Sequence, residues 1–63
     1  MKLVNTTDVH LTVQLERSEV DFLCNAINET LEALNQWEFP VRTGISRSDA
    51  QSLLSELKEF RNL

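Results

Sequence analysis

The sequence has little of the chemistry with which small proteins usually stabilise a fold or build an active site. Its 63 residues include one cysteine, one histidine, one proline, one glycine and no tyrosine. The single Cys24 excludes an internal disulfide, and one cysteine with one histidine cannot supply the ligands of a structural zinc site. Because secreted domains of this size are typically rich in disulfides, the lone cysteine favours the cytoplasm.

Long apolar runs and catalytic motifs are also missing. No stretch approaches the roughly 20 apolar residues of a membrane helix, and the start of the chain lacks the apolar run of a signal peptide. His10 is the obvious general base, but strand periodicity places no nucleophile beside it. Cys24 falls on the apolar side of a predicted helix, where burial makes a thiol unreactive. We therefore expect no enzyme activity, metal, cofactor or membrane partner.

The net charge and the length of the chain limit its possible partners and indicate its oligomeric state. The net charge is −4, with −5 on residues 1–38 and +1 on residues 39–63. An acidic chain repels phosphate backbones, which argues against nucleic acid as a partner. A single domain of this length buries only about 60% of its unfolded surface. Without a disulfide or metal, self-association is the remaining source of stability, and we predict a homodimer.

The longest organised stretch is an amphipathic helix over about residues 18–36. Ser18 and Asp21 have the spacing of a capping box, and Pro40 ends helical geometry at or before the residue that precedes it. Its apolar stripe comprises Val20, Leu23, Cys24, Ile27, Leu31 and Leu34, flanked by Phe22, Ala26, Ala33 and Trp37. Because about half of the circumference is apolar, this helix needs more than one neighbour.

A second amphipathic helix is predicted over about residues 46–61. Ser46 and Asp49 repeat the capping box, and basic residues in the last turn suit the helix dipole. Its apolar stripe comprises Ala50, Leu53, Leu54, Leu57 and Phe60.

Before the helices, residues 9–15 alternate between apolar and polar side chains, as in a half-buried strand. Residues 2–4 are apolar enough for a short strand, and the turn formers at 5–8 suggest a hairpin. We therefore predict one α+β domain, residues 1–63. A small hairpin (about 2–4 and 9–15) precedes two antiparallel helices that pack on one face of its sheet.

The connector between the helices is open to two interpretations. Its alternation would turn Trp37, Phe39 and Val41 inward, and Pro40 restricts residues 38–43 to an edge strand or an ordered loop. We favour the loop, followed by a positive φ at Gly44.

Five side chains are candidates for an interaction surface: Trp37, Glu38, Phe39, Arg42 and Phe22. Tryptophan and arginine are enriched at interface hot spots. The same aromatic residues could instead close the core between the helices. In a dimer, the edge strand, the flank of the first helix, or both would form the contact.

Two segments, His10–Leu15 and Thr43–Ala50, resemble the ribbon-helix-helix family of DNA-binding dimers. The resemblance implies a strand that pairs with the same strand of a second copy and reads bases through His10, Thr12 and Gln14. Residues 18–44 are far longer than that family's first helix and turn, and none of the three reading positions is lysine or arginine.

A second resemblance covers about residues 20–57. Three segments, Asn25–Glu29, Glu38–Gly44 and Ser46–Ala50, resemble a group of short uncharacterised bacterial proteins. Those proteins share an Asn-x-x-Asn-Glu helix, a Glu-Phe-x-x-Arg-x-Gly connector and a capped second helix. Pro40 and Val41 depart from the more usual polar pair. The resemblance implies a bacterial origin, no known activity and special interest in Glu38 and Arg42.

We thus expect a non-enzymatic, cytoplasmic, homodimeric protein-interaction module. The alternative is a divergent ribbon-helix-helix regulator that uses the strand at 9–15. The two hypotheses differ in whether that strand pairs within its own subunit or with a second copy.

Overall fold

A computed structural model describes all 63 residues as an α+β fold, with a hairpin followed by helices. The elements are β1 (Lys2–Thr6), β2 (Leu11–Gln14), α1 (Arg17–Ala33), α2 (Glu38–Thr43) and α3 (Arg47–Arg61). The predicted class, an α+β fold with a hairpin followed by helices, is confirmed. β1 is longer than predicted and β2 is shorter. The first long helix ends three residues early, and a third helix lies between the two that were expected.

The core is formed by the apolar stripes of α1 and α3, as the helical spacing predicted. Seven residues are buried: Val20, Cys24, Leu31, Phe39, Ala50, Leu54 and Leu57. Four more apolar side chains pack against them: Leu15, Leu23, Ile27 and Leu34. No polar or charged residue is buried, so the core is entirely apolar.

Residues 38–43 are helical, so the prediction of a loop was wrong. Asn35 begins this turn: its carbonyl oxygen accepts from the Phe39 N–H and its side-chain oxygen from the Glu38 N–H, both at 3.1 Å. Pro40 lies in the first turn of α2, where an N–H has no intrahelical partner to lose. The proline is therefore compatible with the start of the helix.

This helix also corrects the predicted orientation of the connector. Residues two apart lie on different faces of a helix, whereas they share a face in an extended chain. Phe39 is accordingly buried, at 2% exposure, while Trp37 and Val41 expose 72% and 78% of their surface. Only Phe39 turns inward.

The first capping box lies two residues before the predicted pair. The N–H of Glu16 donates to Glu19 Oε1 at 2.9 Å, because the helix begins at Arg17. At the start of α3, Ser46 Oγ accepts from the Asp49 N–H at 3.1 Å, as predicted.

The hairpin is antiparallel, and both of its strands are exposed. The paired residues are Lys2 with Gln14, Leu3 with Val13, Asn5 with Thr12, and Thr6 with Leu11. An irregularity between Leu3 and Asn5 shifts the register. Every residue from 1 to 14 is exposed. The predicted packing of the helices on one face of the sheet is therefore wrong within a single chain.

Candidate interaction surface

The hairpin has one apolar side and one polar side. Directly opposed residues share a face of a sheet, so the register places Leu3, Val13 and Leu11 together on one side. Leu11 exposes 70% of its surface and Val13 exposes 40%. The opposite side carries Lys2, Asn5, Thr12 and Gln14. The alternation that predicts a half-buried strand is present, but the rest of this chain buries only part of the apolar side.

A groove of about 620 Å³ separates β2 from the end of α3. We call it the hairpin groove. Its apolar lining comes from Leu11, Val13 and Leu15 on the hairpin side, and from Leu57, Phe60 and Leu63 on the helical side. Phe60 is 55% exposed although it belongs to the apolar stripe of α3. The stripe therefore continues beyond the core, and its last turn faces the groove.

Charged side chains border the hairpin groove. Arg17 donates to the carbonyl oxygen of Leu63, which ties the end of the chain to the start of α1. Arg61 Nε lies 3.9 Å from Asp21 Oδ1. An apolar centre with a polar rim is the usual anatomy of a protein–protein interface.

The start of the chain is held to α1 through Glu19. Its Oε1 lies 2.8 Å from the N-terminal ammonium of Met1. That ammonium, through its hydrogen bond, and the backbone N–H of Glu16 favour the ionised carboxylate and hold the pKa of Glu19 below its ordinary value. This ion pair links the first residue of the chain to the first turn of α1.

The structure divides the five candidate interaction residues. Phe39 belongs to the core, whereas Trp37 lies just before α2 and Glu38 and Arg42 lie within it. Neither Glu38 nor Arg42 takes part in an ion pair. Phe22 is exposed on α1 and lines a smaller hollow that also contains Met1 and Leu23.

Sequence reasoning missed Arg47, which connects all three helices. Arg47 Nη1 donates to the carbonyl oxygen of Leu34 at 3.0 Å, at the end of α1. Its guanidinium carbon lies 5.8 Å from the ring centroid of Phe39. One signal could have found it: a basic residue in the first turn of a helix opposes the dipole, so it needs partners elsewhere.

The residues of the DNA-binding alternative, His10, Thr12 and Gln14, are all exposed. Thr12 and Gln14 lie on the polar side of the hairpin. His10 ends the turn, where its carbonyl oxygen accepts from the Thr7 N–H at 2.8 Å. β2 pairs with β1 of the same chain.

Comparisons with family models, with curated proteins and with solved structures find no match for this chain. The resemblance to short bacterial proteins therefore stays a prediction from the residues. None of the helices has the length and apolar character needed to cross a membrane. No three side chains of histidine, cysteine, aspartate or glutamate cluster as metal ligands would.

Proposed function

We propose that this chain is a protein-interaction module that works as a homodimer through the apolar side of its hairpin and the hairpin groove. The size of its exposed surface is the observation that carries the proposal. The chain exposes 5126 Å², whereas a monomer of 7.3 kDa would expose about 4,200 Å². The excess, about 900 Å², is close to the roughly 800 Å² that each partner buries in a standard interface.

The reactive side chains support a non-enzymatic role. Cys24 is buried among apolar residues of the core, and His10 lies in the exposed turn of the hairpin. The two groups thus belong to separate parts of the molecule and form no common site. The proposal locates the module in the cytoplasm, where an unpaired thiol stays reduced.

The DNA-binding alternative has weaker support. The polar side of the hairpin carries a single cation, Lys2. Phosphate contacts supply much of the affinity of DNA-binding proteins, so this side is poorly equipped for that role.

Light scattering on the wild type and two lysine variants tests the proposal. We expect a wild-type mass near twice 7.3 kDa. Leu11→Lys places a charge on the apolar side and should give a monomer, because an unpaired charge is costly to bury. Asn5→Lys adds the same charge to the polar side and should remain a dimer. A monomeric wild type over the whole measured concentration range would overturn the proposal.

The same measurement with mixed duplex DNA at low salt separates the alternatives. Attraction to phosphate is strongest there, so a dimer whose mass is unchanged by DNA supports the interaction module. Binding that falls steeply as salt is added would favour the DNA-binding regulator instead.

A further inference from the structure

We infer that the second copy adds its own β2 to the outer edge of β2, which makes a four-stranded sheet in the order β1, β2, partner β2, partner β1. The inference rests on the proposed self-association and specifies its geometry. The hairpin is a two-stranded sheet, so each strand has one edge without a neighbour. Such edges present unpaired N–H and C=O groups that can template another strand.

The two free edges differ in how well they are protected. β1 carries Lys2 and an irregular register between Leu3 and Asn5, and both features discourage the addition of a strand. β2 (Leu11–Gln14) contains no charged residue, no proline and no register shift of its own. Strand addition is therefore favoured at β2.

The hairpin groove lies along the favoured edge. Four residues from 11 to 15 line it together with Leu57 and Phe60 of α3. A strand placed about 4.8 Å from β2 would occupy this groove and lie over those two helical side chains. Backbone pairing and apolar burial would then occur together, which accounts for an exposed apolar side next to an unprotected edge.

Two-fold symmetry restricts the register of the added strand. An axis perpendicular to the sheet keeps each side chain on its own face, so odd-numbered residues must oppose odd-numbered residues. If the axis passes through Val13, the whole groove-lining segment, residues 11–15, takes part in the pairing. Leu11 then opposes the partner's Leu15. The same axis also brings His10 opposite the partner's Glu16. Although each chain carries a net charge of −4, β2 is neutral, and the contact brings no like charges together.

Cysteine cross-linking tests this geometry. At an axis through Val13, the two copies of that residue are opposed with Cα atoms about 4.5–5.5 Å apart, within the range of a disulfide. We expect Val13→Cys to form a covalent dimer as the main product of mild oxidation. Asn5→Cys, on β1, and Trp37→Cys, at the exposed residue just before α2, should stay largely monomeric on denaturing electrophoresis without reducing agent. Native Cys24 is 2% exposed and serves in every sample as an unreactive background.

Hydrogen exchange on the wild type gives a second measurement that needs no substitution. The β2 amides that point away from β1 should be protected in concentrated protein and should exchange rapidly after dilution. Amides on the outer edge of β1 should exchange rapidly in both samples. A wild-type dimer with unprotected outer β2 amides and no Val13→Cys cross-link would overturn the strand pairing and leave self-association intact. A wild-type monomer would overturn both.

Discussion

Phe39 and Trp37 are two aromatic residues with opposite surroundings, and their substitutions should differ accordingly. Phe39 is 2% exposed in the core, whereas Trp37 is 72% exposed. We expect Phe39→Ala to lower the free energy of unfolding by about 3–5 kcal/mol, a large share of the stability of a small domain. Trp37→Ala should change it by about 0.5 kcal/mol or less. Urea unfolding followed by circular dichroism measures both, and equal losses would contradict the orientation of α2.

Glu19 makes an acid-dependent contribution to stability. Its pKa is lower in the folded chain than in the unfolded chain. The contribution is therefore fully present above the unfolded pKa and is lost as the pH falls through the folded value. Glu19→Gln should unfold at a denaturant concentration that depends less on pH across that acid window. Glu29→Gln, an exposed change on the same helix that removes no ion pair, is the control and should keep the wild-type dependence.

These residues also show what the sequence could and could not predict. The buried positions of α1 and α3 could be predicted because helical periodicity specifies a face over four turns. The inward orientation of Phe39 could be predicted only as part of a wrong alternation, because three apolar residues at odd positions fit a strand as well as a short helix. Arg47 was missed because its role depends on Leu34 and Phe39, which only the fold brings near it.

Among the elements, α2 depends on Gly44 for its end. Gly44 has φ +83°, and its N–H donates to the Pro40 carbonyl oxygen at 2.9 Å. A Cβ there would meet no atom within 4 Å, so the cost of a side chain is confined to the backbone. Gly44→Ala should destabilise the chain by about 1–2 kcal/mol. Gly44→Asn should cost less, because asparagine tolerates the left-handed region. Urea midpoints of the two variants measure the difference. Equal midpoints would contradict the conclusion that the cost comes from the left-handed backbone conformation.

The elements were predictable where they are long and ambiguous where they are short. α2 has six residues, too few for a periodicity to separate helix from strand. A signal was nonetheless present, because Asn35 and Glu38 have the Asx-x-x-Glu spacing typical of a helix start. The hairpin is the converse case. Its strands follow from alternation and turn residues, but alternation does not say which molecule covers the apolar side.

At the scale of the whole molecule, the chain is more extended than a compact domain of the same length. Its radius of gyration is 13.0 Å, against about 10.6 Å for a compact domain of 63 residues. The hairpin accounts for this shape, since all of its residues are exposed while the core lies between the helices. In the proposed dimer, the second copy covers the exposed hairpin. Because the hairpin then gains its packing partner only on association, folding and association should be coupled.

The proposed coupling predicts that the free energy of unfolding depends on protein concentration. Association stabilises a folded state by mass action, so the urea midpoint of the wild type should rise with each tenfold increase in concentration. A Leu11→Lys/Val13→Lys double variant should unfold at a lower midpoint that does not vary with concentration, because charges on the apolar side prevent the contact. Asn5→Lys places a charge on the polar side of the hairpin and is the control for the cost of charge there. A wild-type midpoint independent of concentration would show that the exposed hairpin contributes nothing through self-association.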